Sequence, residues 1–386
     1  MRRTVILISL AVFAVFGVHA QEPPEAPTAA MRGMLAITPD TQEARAYWQF
    51  TDFAAARAAA PELAYESIDA LTADQDSDRV RAAILALPFS ELISDLDFDA
   101  LGDFIASNGF DLFALDQAAE VGNPPAHGFI LRGSFDRDRV NAALTRRGWA
   151  AADQFGFSGW CNSDPDGCNA GTRSDPRRAS QQRADFFDNI GRRPPVLLIE
   201  DSSSLVFAYA NPVLETLAEA QSGGETLMQA LEYDAITTAV DTYSKLGAFV
   251  RMAFTIDPED LSDPLLQAAM LVDTVDSTAQ VASIVLAYPD QESAQLAGEI
   301  VIERLHTLSS HRMQAPFEEM IADRGGTIGD PVVVQGELGG WAVLIPIQYP
   351  LAILDPDADE QVQPYRVYEM LLQTVFNQDL AYLAAD

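Results

Sequence analysis

A short polar loop between two cysteines carries closely spaced side chains that could ligate a metal. Residues 160–168 read Trp-Cys-Asn-Ser-Asp-Pro-Asp-Gly-Cys, so Asn162, Asp164 and Asp166 place side-chain oxygens at alternate positions before a glycine. Calcium-binding loops of the EF-hand type begin in this way. The twelfth position counted from Asn162 is Arg173, however, where an EF-hand has a bidentate Glu. The loop is therefore either a calcium site or a turn rich in turn-forming residues and closed by its cysteines.

Arginines follow this loop at high density in a chain that is otherwise strongly acidic. They are Arg177, Arg178, Arg183, Arg192 and Arg193. Guanidinium groups bind carboxylates and phosphates through paired hydrogen bonds. The sequence thus predicts either an anion-binding site formed by Arg177, Arg178, Arg192 and Arg193 or local ion pairs with neighbouring carboxylates.

Two further acidic runs are candidate cation sites. One contains Asp95, Asp97 and Asp99, and the other contains Asp355, Asp357, Asp359 and Glu360. The position that an EF-hand would fill with Glu is Ala106 for the first run and Arg366 for the second. Neither run is an EF-hand, and alternation with Leu96 and Phe98 suits a strand with one polar face.

The chain contains no complete catalytic motif. Glu303 and His306 form one Glu-x-x-His, whereas a di-iron bundle needs two. Residues 156–160 lack the last glycine of a nucleophile elbow, and neither a P-loop nor a dinucleotide-binding glycine motif is present. We therefore expect no cofactor, with calcium as the alternative.

The N-terminus has the layout of a secretory signal peptide. A basic start at Arg2 and Arg3 precedes an apolar run over residues 4–18, and the small residue Ala20 stands before a polar, Pro-rich stretch that begins at Gln21. This layout predicts cleavage between Ala20 and Gln21 and a periplasmic or secreted protein. The alternative is a retained anchor, but the run is shorter than the about 20 residues that span a bilayer. We expect no stable membrane insertion after cleavage.

Export determines how the two cysteines are interpreted. Cys161 and Cys168 are the only cysteines, and two nearby cysteines outside the cytosol are most simply one structural disulfide. A zinc site needs two more ligands, and a redox pair usually has the spacing Cys-x-x-Cys.

Composition limits the choice of partners. The chain has 57 acidic and 24 basic residues, a formal charge of −33, and loss of residues 1–20 would make it −35. Such a surface repels nucleic acid and anionic lipid, and it attracts divalent cations, polyamines or basic proteins. Hydrophobic residues make up 48% of the chain, which is enough for a substantial core.

The chain is predicted to be an α+β protein with two pseudo-repeated units and mainly antiparallel sheets. After a flexible leader over residues 21–40, the first unit covers residues 41–245, with the disulfide-bearing insertion at 160–195, and the second covers 246–386. Aromatic residues from Tyr47 to Phe53 lead into an Ala-rich stretch that is predicted to be a helix with an aromatic face.

Each unit is predicted to follow the order β-α-β-α-β-β-α. In the first unit the elements are strand 92–101, helix 111–121, strand 127–135, helix 138–147, strands 154–160 and 204–209, and helix 213–221. In the second unit they are strand 250–261, helix 264–275, strand 282–289, helix 291–308, strands 332–338 and 341–349, and helix 365–376. Asp136 and Asp290 are placed to cap the helices that follow them.

Three motifs resemble exported bacterial proteins of unknown function that are built from duplicated α/β units. They are Asp97-Phe98-Asp99-Ala100-Leu101, Gly109-Phe110-Asp111 and Arg132-Gly133-Ser134-Phe135-Asp136. The resemblance covers about residues 88–150. It implies an exported location and this type of fold, and it supplies no catalytic residues.

These observations favour an exported, non-catalytic binding or structural protein with a cationic or protein partner. Two alternatives stay open. One is an extracytoplasmic hydrolase whose site uses paired carboxylates, and the other is a calcium-stabilised surface protein.

Overall fold

Antiparallel strands from both predicted units join side by side in one large sheet. The computed structural model describes residues 25–88, 98–123, 126–162, 168, 186–187, 194–199, 203–245, 247–261, 263–276, 278–351 and 365–383. Thirteen strands in these ranges form the sheet, and helices cover both of its faces. The fold is therefore α+β with a mostly antiparallel sheet, as the sequence predicts.

The strands are numbered in chain order. They are β1 (Trp48–Asp52), β2 (Leu115–Val121), β3 (Gly128–Gly133), β4 (Trp149–Ala151), β5 (Ser158–Asn162), β6 (Val196–Ile199), β7 (Ser204–Ala208), β8 (Phe249–Ile256), β9 (Ala268–Val275), β10 (Ala279–Tyr288), β11 (Thr327–Ile328), β12 (Val332–Gln335) and β13 (Trp341–Pro350). Across the sheet they lie in the order β11-β13-β10-β9-β8-β1-β2-β3-β7-β6-β5-β4, and β12 also pairs with β13.

The helices are numbered in the same way. They are α1 (Ala29–Leu35), α2 (Gln42–Ala46), α3 (Phe53–Ala59), α4 (Ile68–Ala73), α5 (Ser77–Leu85), α6 (Phe104–Asn108), α7 (Arg137–Arg146), α8 (Asn211–Gln221), α9 (Leu231–Tyr243), α10 (Gln291–Thr307), α11 (Phe317–Ala322) and α12 (Arg366–Phe376). In the described ranges, none of the helices is long and apolar enough to cross a membrane.

The sheet passes without a break from the first predicted unit to the second. Strand β1 pairs with β8 so that Phe50 faces Ala253, and β2 and β9 lie on the outer sides of this central pair. One face of the sheet packs against α1, α8 and α9 in a core that includes strand residues from both units, among them Phe50 and Val272. We call this the first face.

The second face carries two separate cores. One lies over β2, β3 and β7 and includes residues of α3 to α7, such as Phe104 and Leu144. The other lies over β8, β9, β10 and β13 and includes residues of α10 to α12, such as Val301 and Leu371. Side chains alternate between faces along each strand, so each strand contributes to both layers.

Two predictions for the N-terminal region are wrong. The leader was expected to be flexible, but α1 lies within it, and Met31, Met34 and Leu35 are fully buried against the first face. The aromatic residues after Tyr47 were expected to form a helical face, yet Trp48–Asp52 is the central strand β1. All five residues of β1 are buried, and three of them, Gln49, Thr51 and Asp52, are polar, so polar residues do not mark an exposed face of this strand.

The predicted helices at 111–121 and 264–275 are also wrong, because most of each segment is a strand. Strand β2 occupies Leu115–Val121 and β9 occupies Ala268–Val275, both inside the sheet. All eight residues of β9 are buried, which removes the alternation that distinguishes a strand from a buried helix. The strand predicted at 92–101 falls mostly outside the described residues, and the described end, Phe98–Asp103, is a 3-10 turn.

The remaining predicted elements agree with the structure within a few residues. Strands β3, β7, β10, β12 and β13 and helices α7, α8, α10 and α12 lie where they were expected. Asp136 and Asp290 both accept hydrogen bonds from backbone N–H groups of the helices that follow them. The final helices of the two units differ, however, because α8 packs on the first face and α12 on the second.

Candidate functional site

A surface cleft of about 420 Å³ lies between α6, α7 and α4. Arg139 and Arg146 of α7 line it together with Asp69 of α4, and its floor is made of small or apolar residues such as Ile105 and Ala142. We call this the α6–α7 cleft. Arg139 and Arg146 are seven residues apart, so they lie on one face of α7 about 10 Å apart along its axis.

Glycine allows α6 and α7 to approach each other closely at this cleft. Gly109 follows the last residue of α6 with a φ of +82°, and a Cβ there would come within 2.5 Å of the Cα of Val140 in α7. Only glycine fits both the left-handed backbone and this contact. The guanidinium groups of Arg146 and Arg147 donate to the carbonyl oxygens of Ala106 and Ser107 at the C-terminal end of α6, at 3.3 and 2.7 Å.

The two arginines in the cleft retain hydrogen-bond donors for a ligand. Within the described residues, Arg139 contacts the carboxylate of Asp136 at 4.0 Å, and Arg146 uses one nitrogen for Ala106. A guanidinium has five N–H groups, so most of them face the cleft or solvent. The arrangement can bind anionic groups at two points and leaves an apolar floor between them.

A second polar cluster is buried under α12 on the second face. Arg251 and Asp273 are 3% and 0% exposed, and Nε and Nη2 of Arg251 donate to Oδ2 of Asp273 at 2.9 and 2.6 Å. The Tyr349 hydroxyl donates to Oδ1 of Asp273 at 2.7 Å, and the guanidinium lies 4.3 Å from the ring centroid of Tyr365. Burial raises the pKa of Asp273, against the opposing influence of Arg251 and Tyr349.

A β-bulge in β8 explains how a charged side chain reaches this cluster. The β8–β9 ladder pairs Val250 with Thr274 and Met252 with Asp273, which leaves Arg251 as the extra residue. A bulge of this kind redirects one side chain while the rest of the ladder keeps its register. Because the pair is enclosed and already hydrogen-bonded, we interpret it as a structural cluster that holds α12 against the sheet.

Two other buried groups have shifted pKa values with structural causes. Burial raises the pKa of Asp52 to about 6, although Oδ1 accepts a hydrogen bond from the backbone N–H of Ala55 at the start of α3. Burial lowers the pKa of His127 to about 4. Shifted groups in a cleft would be candidates for acid–base catalysis, but these two are 5% and 2% exposed.

The structure places only part of the predicted site. The Sγ atoms of Cys161 and Cys168 are 2.07 Å apart, so the predicted disulfide is confirmed. Asp164 and Asp166 lie outside the described residues, as do Arg177, Arg178, Arg183, Arg192 and Arg193, and Asn162 is described only as the backbone end of β5. The acidic runs at 95–97 and 355–360 and the cleavage position at Ala20 and Gln21 also lie outside them.

Glu303 and His306, which the sequence does not predict to be a metal site, lie on α10. His306 contacts the carboxylate of Glu318 on α11 at 3.0 Å through Nδ1. No group of three His, Cys, Asp or Glu side chains that could hold a metal is found in the part of the chain that the structure describes.

Sequence reasoning missed both polar clusters. Arg139 and Arg146 share a face of the correctly predicted helix α7, so their spacing was a usable signal. Arg251 and Asp273 are 22 residues apart, and the bulge that joins them has no sequence pattern of its own.

Comparison with known proteins assigns neither a family nor a function to this chain. No family model and no curated protein matches the chain. Among solved structures, crystal form I of TP0453 matches with 10% sequence identity and a TM-score of 0.31, covering 83% of this chain and 93% of that one. A similarity this low supports no conclusion about fold or function.

Proposed function

We propose that the chain is an exported, non-catalytic binding protein that takes a small organic dianion in the α6–α7 cleft. The observation that carries this proposal is the pair of arginines, Arg139 and Arg146, that line a 420 Å³ cleft two helical turns apart. Each guanidinium can hold one carboxylate or phosphate group in bidentate fashion.

The shape and charge of the cleft favour a compact ligand over a polyanion. The formal charge of −33 repels a long polyanion, whereas a small ligand meets mainly the local positive charge of α7. The apolar floor at Ile105 and Ala142 suits a hydrocarbon chain. A ligand with anionic ends about 10 Å apart, the span of two helical turns, would reach both arginines.

Octanedioate is a suitable probe because its extended chain approaches this span. Isothermal titration calorimetry on the mature chain should show octanedioate binding more tightly than butanedioate, which is too short, and octanoate, which has one carboxylate. The double variant Arg139→Gln/Arg146→Gln should bind at least about tenfold more weakly, the equivalent of losing one strong charged contact. Asp69→Asn should bind more tightly, because Asp69 lines the cleft and repels an anion.

Arg137→Gln/Arg304→Gln is the matched control, since it removes the same charge from positions outside the cleft. Arg137 lies on α7 but donates to Ser158, and Arg304 lies on α10. If this control loses as much affinity as the cleft variant, the effect is one of total charge and the proposed site is wrong. Equal affinity for octanedioate and octanoate would also contradict it.

The location outside the cytosol is part of the proposal. The disulfide supports it, because such bonds persist in oxidising compartments, and so does the signal-like N-terminus. Mass spectrometry of the exported protein should find a mature N-terminus at Gln21, and a mature chain that begins at Met1 would contradict it.

We also propose that the two halves of the sheet are repeats related by an axis between β1 and β8. The strand order supports this, since β1-β2-β3-β7 and β8-β9-β10-β13 run outward from that axis. The register supports it independently. Gln49 faces Glu120 and Met252 faces Asp273, so the two buried acids occupy equivalent positions.

The correspondence extends to the next two strands on each side. His127 precedes β3 by one residue, and its carbonyl accepts a hydrogen bond from the backbone N–H of Tyr209 at the end of β7. At the equivalent place in the other half, Gln280 of β10 faces Tyr349 of β13. The two halves thus have the same three kinds of residue at equivalent positions of the second face. They are an acid (Glu120 or Asp273), a polar residue (His127 or Gln280) and a tyrosine (Tyr209 or Tyr349).

A further inference from the structure

A second cavity, of about 260 Å³, lies where the C-terminal end of α9 meets the edge of the first face. Its floor is a row of side chains from three adjacent strands, namely Thr274, Val281 and Gln348, which face one another in the β9–β10 and β10–β13 ladders. Ser244 and Lys245 also line the cavity. The cavity is smaller than the range of about 300–1,000 Å³ typical for drug-sized ligands, so it suits a small molecule.

Lys245 and Asp276 carry opposite charges and both line the cavity, but they are not directly hydrogen-bonded. Nζ of Lys245 is 3.6 Å from Oδ2 of Asp276, beyond the 2.7–3.2 Å of an N–H···O bond. Oδ1 of Asp276 already accepts from Thr278 and from the backbone N–H of Ala279, whereas Oδ2 has only this contact in the described residues. The Lys245 side chain is 74% exposed, so its long contact with Asp276 contributes little to stability and a ligand can replace it.

Polar groups inside the cavity add donors and acceptors. Oγ of Ser244 is buried and has no hydrogen-bond partner among the described residues. The Tyr243 hydroxyl accepts from Nε2 of Gln348 at 2.7 Å, which leaves its own proton and the Gln348 carbonyl oxygen for a ligand. A buried hydroxyl without a partner is costly, and a ligand oxygen would satisfy it.

We propose that this cavity binds a small amino acid as the zwitterion. Its carboxylate pairs with the ammonium of Lys245 and accepts from the Ser244 hydroxyl, and its ammonium pairs with Oδ2 of Asp276 and the Gln348 carbonyl oxygen. Val281, Ala248 and Ala279 line the cavity and contact a short apolar side chain. This site is separate from the α6–α7 cleft and does not depend on it.

L-valine is the probe, and two analogues that each lack one charge are its controls. By calorimetry on the mature chain, 3-methylbutanoate, which lacks the ammonium, and isobutylamine, which lacks the carboxylate, should each bind at least about tenfold more weakly than L-valine. Lys245→Met, Asp276→Asn and Ser244→Ala should weaken L-valine binding. Thr242→Ala should not, because Thr242 is exposed on α9 and does not line the cavity, and its hydroxyl donates to the Thr238 carbonyl.

Lys245 is the only lysine, which gives a direct reporter of the site. Reductive methylation with ¹³C-formaldehyde keeps the positive charge and labels this side chain and the N-terminal amine. L-valine should shift the dimethyl-lysine resonance and leave the N-terminal resonance in place. The proposal is overturned if L-valine shifts neither signal, if 3-methylbutanoate binds as tightly as L-valine, or if Asp276→Asn retains full affinity.

Discussion

The two halves of the sheet place a buried acid at the same register position but surround it differently. In the second half, Asp273 is bound by Arg251 and Tyr349. In the first half the acid is Glu120, and the β1–β2 ladder runs from Trp48 to Asp52 without an extra residue that corresponds to Arg251. The bulge in β8 therefore brings the guanidinium of Arg251 to Asp273, and β1 has no such bulge in its pairing with β2.

The helices that follow the third strand of each half differ in charge as well. Helix α7 carries Arg137, Arg139 and Arg146 with one acid, whereas α10 carries Glu292, Glu299 and Glu303 with one arginine. Both begin at a capping aspartate and pack on the second face. The two halves therefore have a similar order of strands, whereas α7 and α10 present exposed surfaces of opposite charge.

Removal of Arg251 from the second half should lower the free energy of unfolding more than any other change proposed below. Arg251→Met leaves the fully buried carboxylate of Asp273 without its counter-charge, and such a loss costs about 3–5 kcal/mol in the free energy of unfolding. Urea denaturation followed by circular dichroism measures it. Arg79→Met is the control, because its pair with Asp74 is partly exposed and should contribute at most about 1 kcal/mol.

A second variant separates charge burial from packing. Arg251→Met combined with Asp273→Leu and Tyr349→Phe replaces the whole cluster by apolar groups, and it should recover most of the lost stability. If the triple variant is as unstable as Arg251→Met, the cluster acts through shape rather than through charge, and our account of the second half is wrong.

The first half has a covalent support at its outer edge that is not present at the other edge. Cys161→Ala/Cys168→Ala opens the disulfide next to β5, and the short loop predicts a loss of roughly 2–3 kcal/mol from the greater entropy of the unfolded chain. Denaturation of the parent protein with and without a reducing agent should give the same difference. Two reactive thiols in the native parent protein would contradict the disulfide itself.

The sequence predicted best those elements whose signals are local. The caps at Asp136 and Asp290 depend on neighbouring residues, and the structure agrees with them. Strand β9 was missed because it is buried on both faces, so its apolar run carries no period of two. Strands β1 and β2 contain polar residues that are buried in the sheet, such as Gln49 and Glu120, so polarity does not mark an exposed face there. The contact of Arg251 with Asp273 depends on register and a bulge, which only the assembled sheet determines.

His127 should make the first half sensitive to acid. Its pKa is lowered to about 4, from about 6.5 in an unfolded chain, so the neutral form stabilises the fold above pH 6.5 and this stability is lost as the pH falls toward 4. The expected loss is about 2 kcal/mol between pH 8 and pH 5. His127→Gln, which copies Gln280 of the other half, should reduce the measured loss by that amount.

Asp52 should change the stability of the fold with pH in the opposite direction to His127. Its folded pKa is raised to about 6, so its contribution is present at low pH and is lost as the pH rises from about 4 to 6. Asp52→Asn should therefore enlarge the loss between pH 8 and pH 5 by about 1 kcal/mol, opposite to His127→Gln. Identical profiles for the two variants would show that neither group titrates as its burial requires.

The helix caps give the smallest expected effects and the closest match between the halves. Asp136 accepts from the backbone N–H groups of Asp138 and Arg139, and Asp290 accepts from that of Ser293. Asp136→Ala and Asp290→Ala should each cost about 1 kcal/mol in the free energy of unfolding, since each removes a cap of the same kind. Asn at either position should restore most of the loss, because its side-chain oxygen accepts the same bonds. A large cost in only one half would mean that the charges of α7 and α10, rather than the cap hydrogen bonds, set the stability of their first turns.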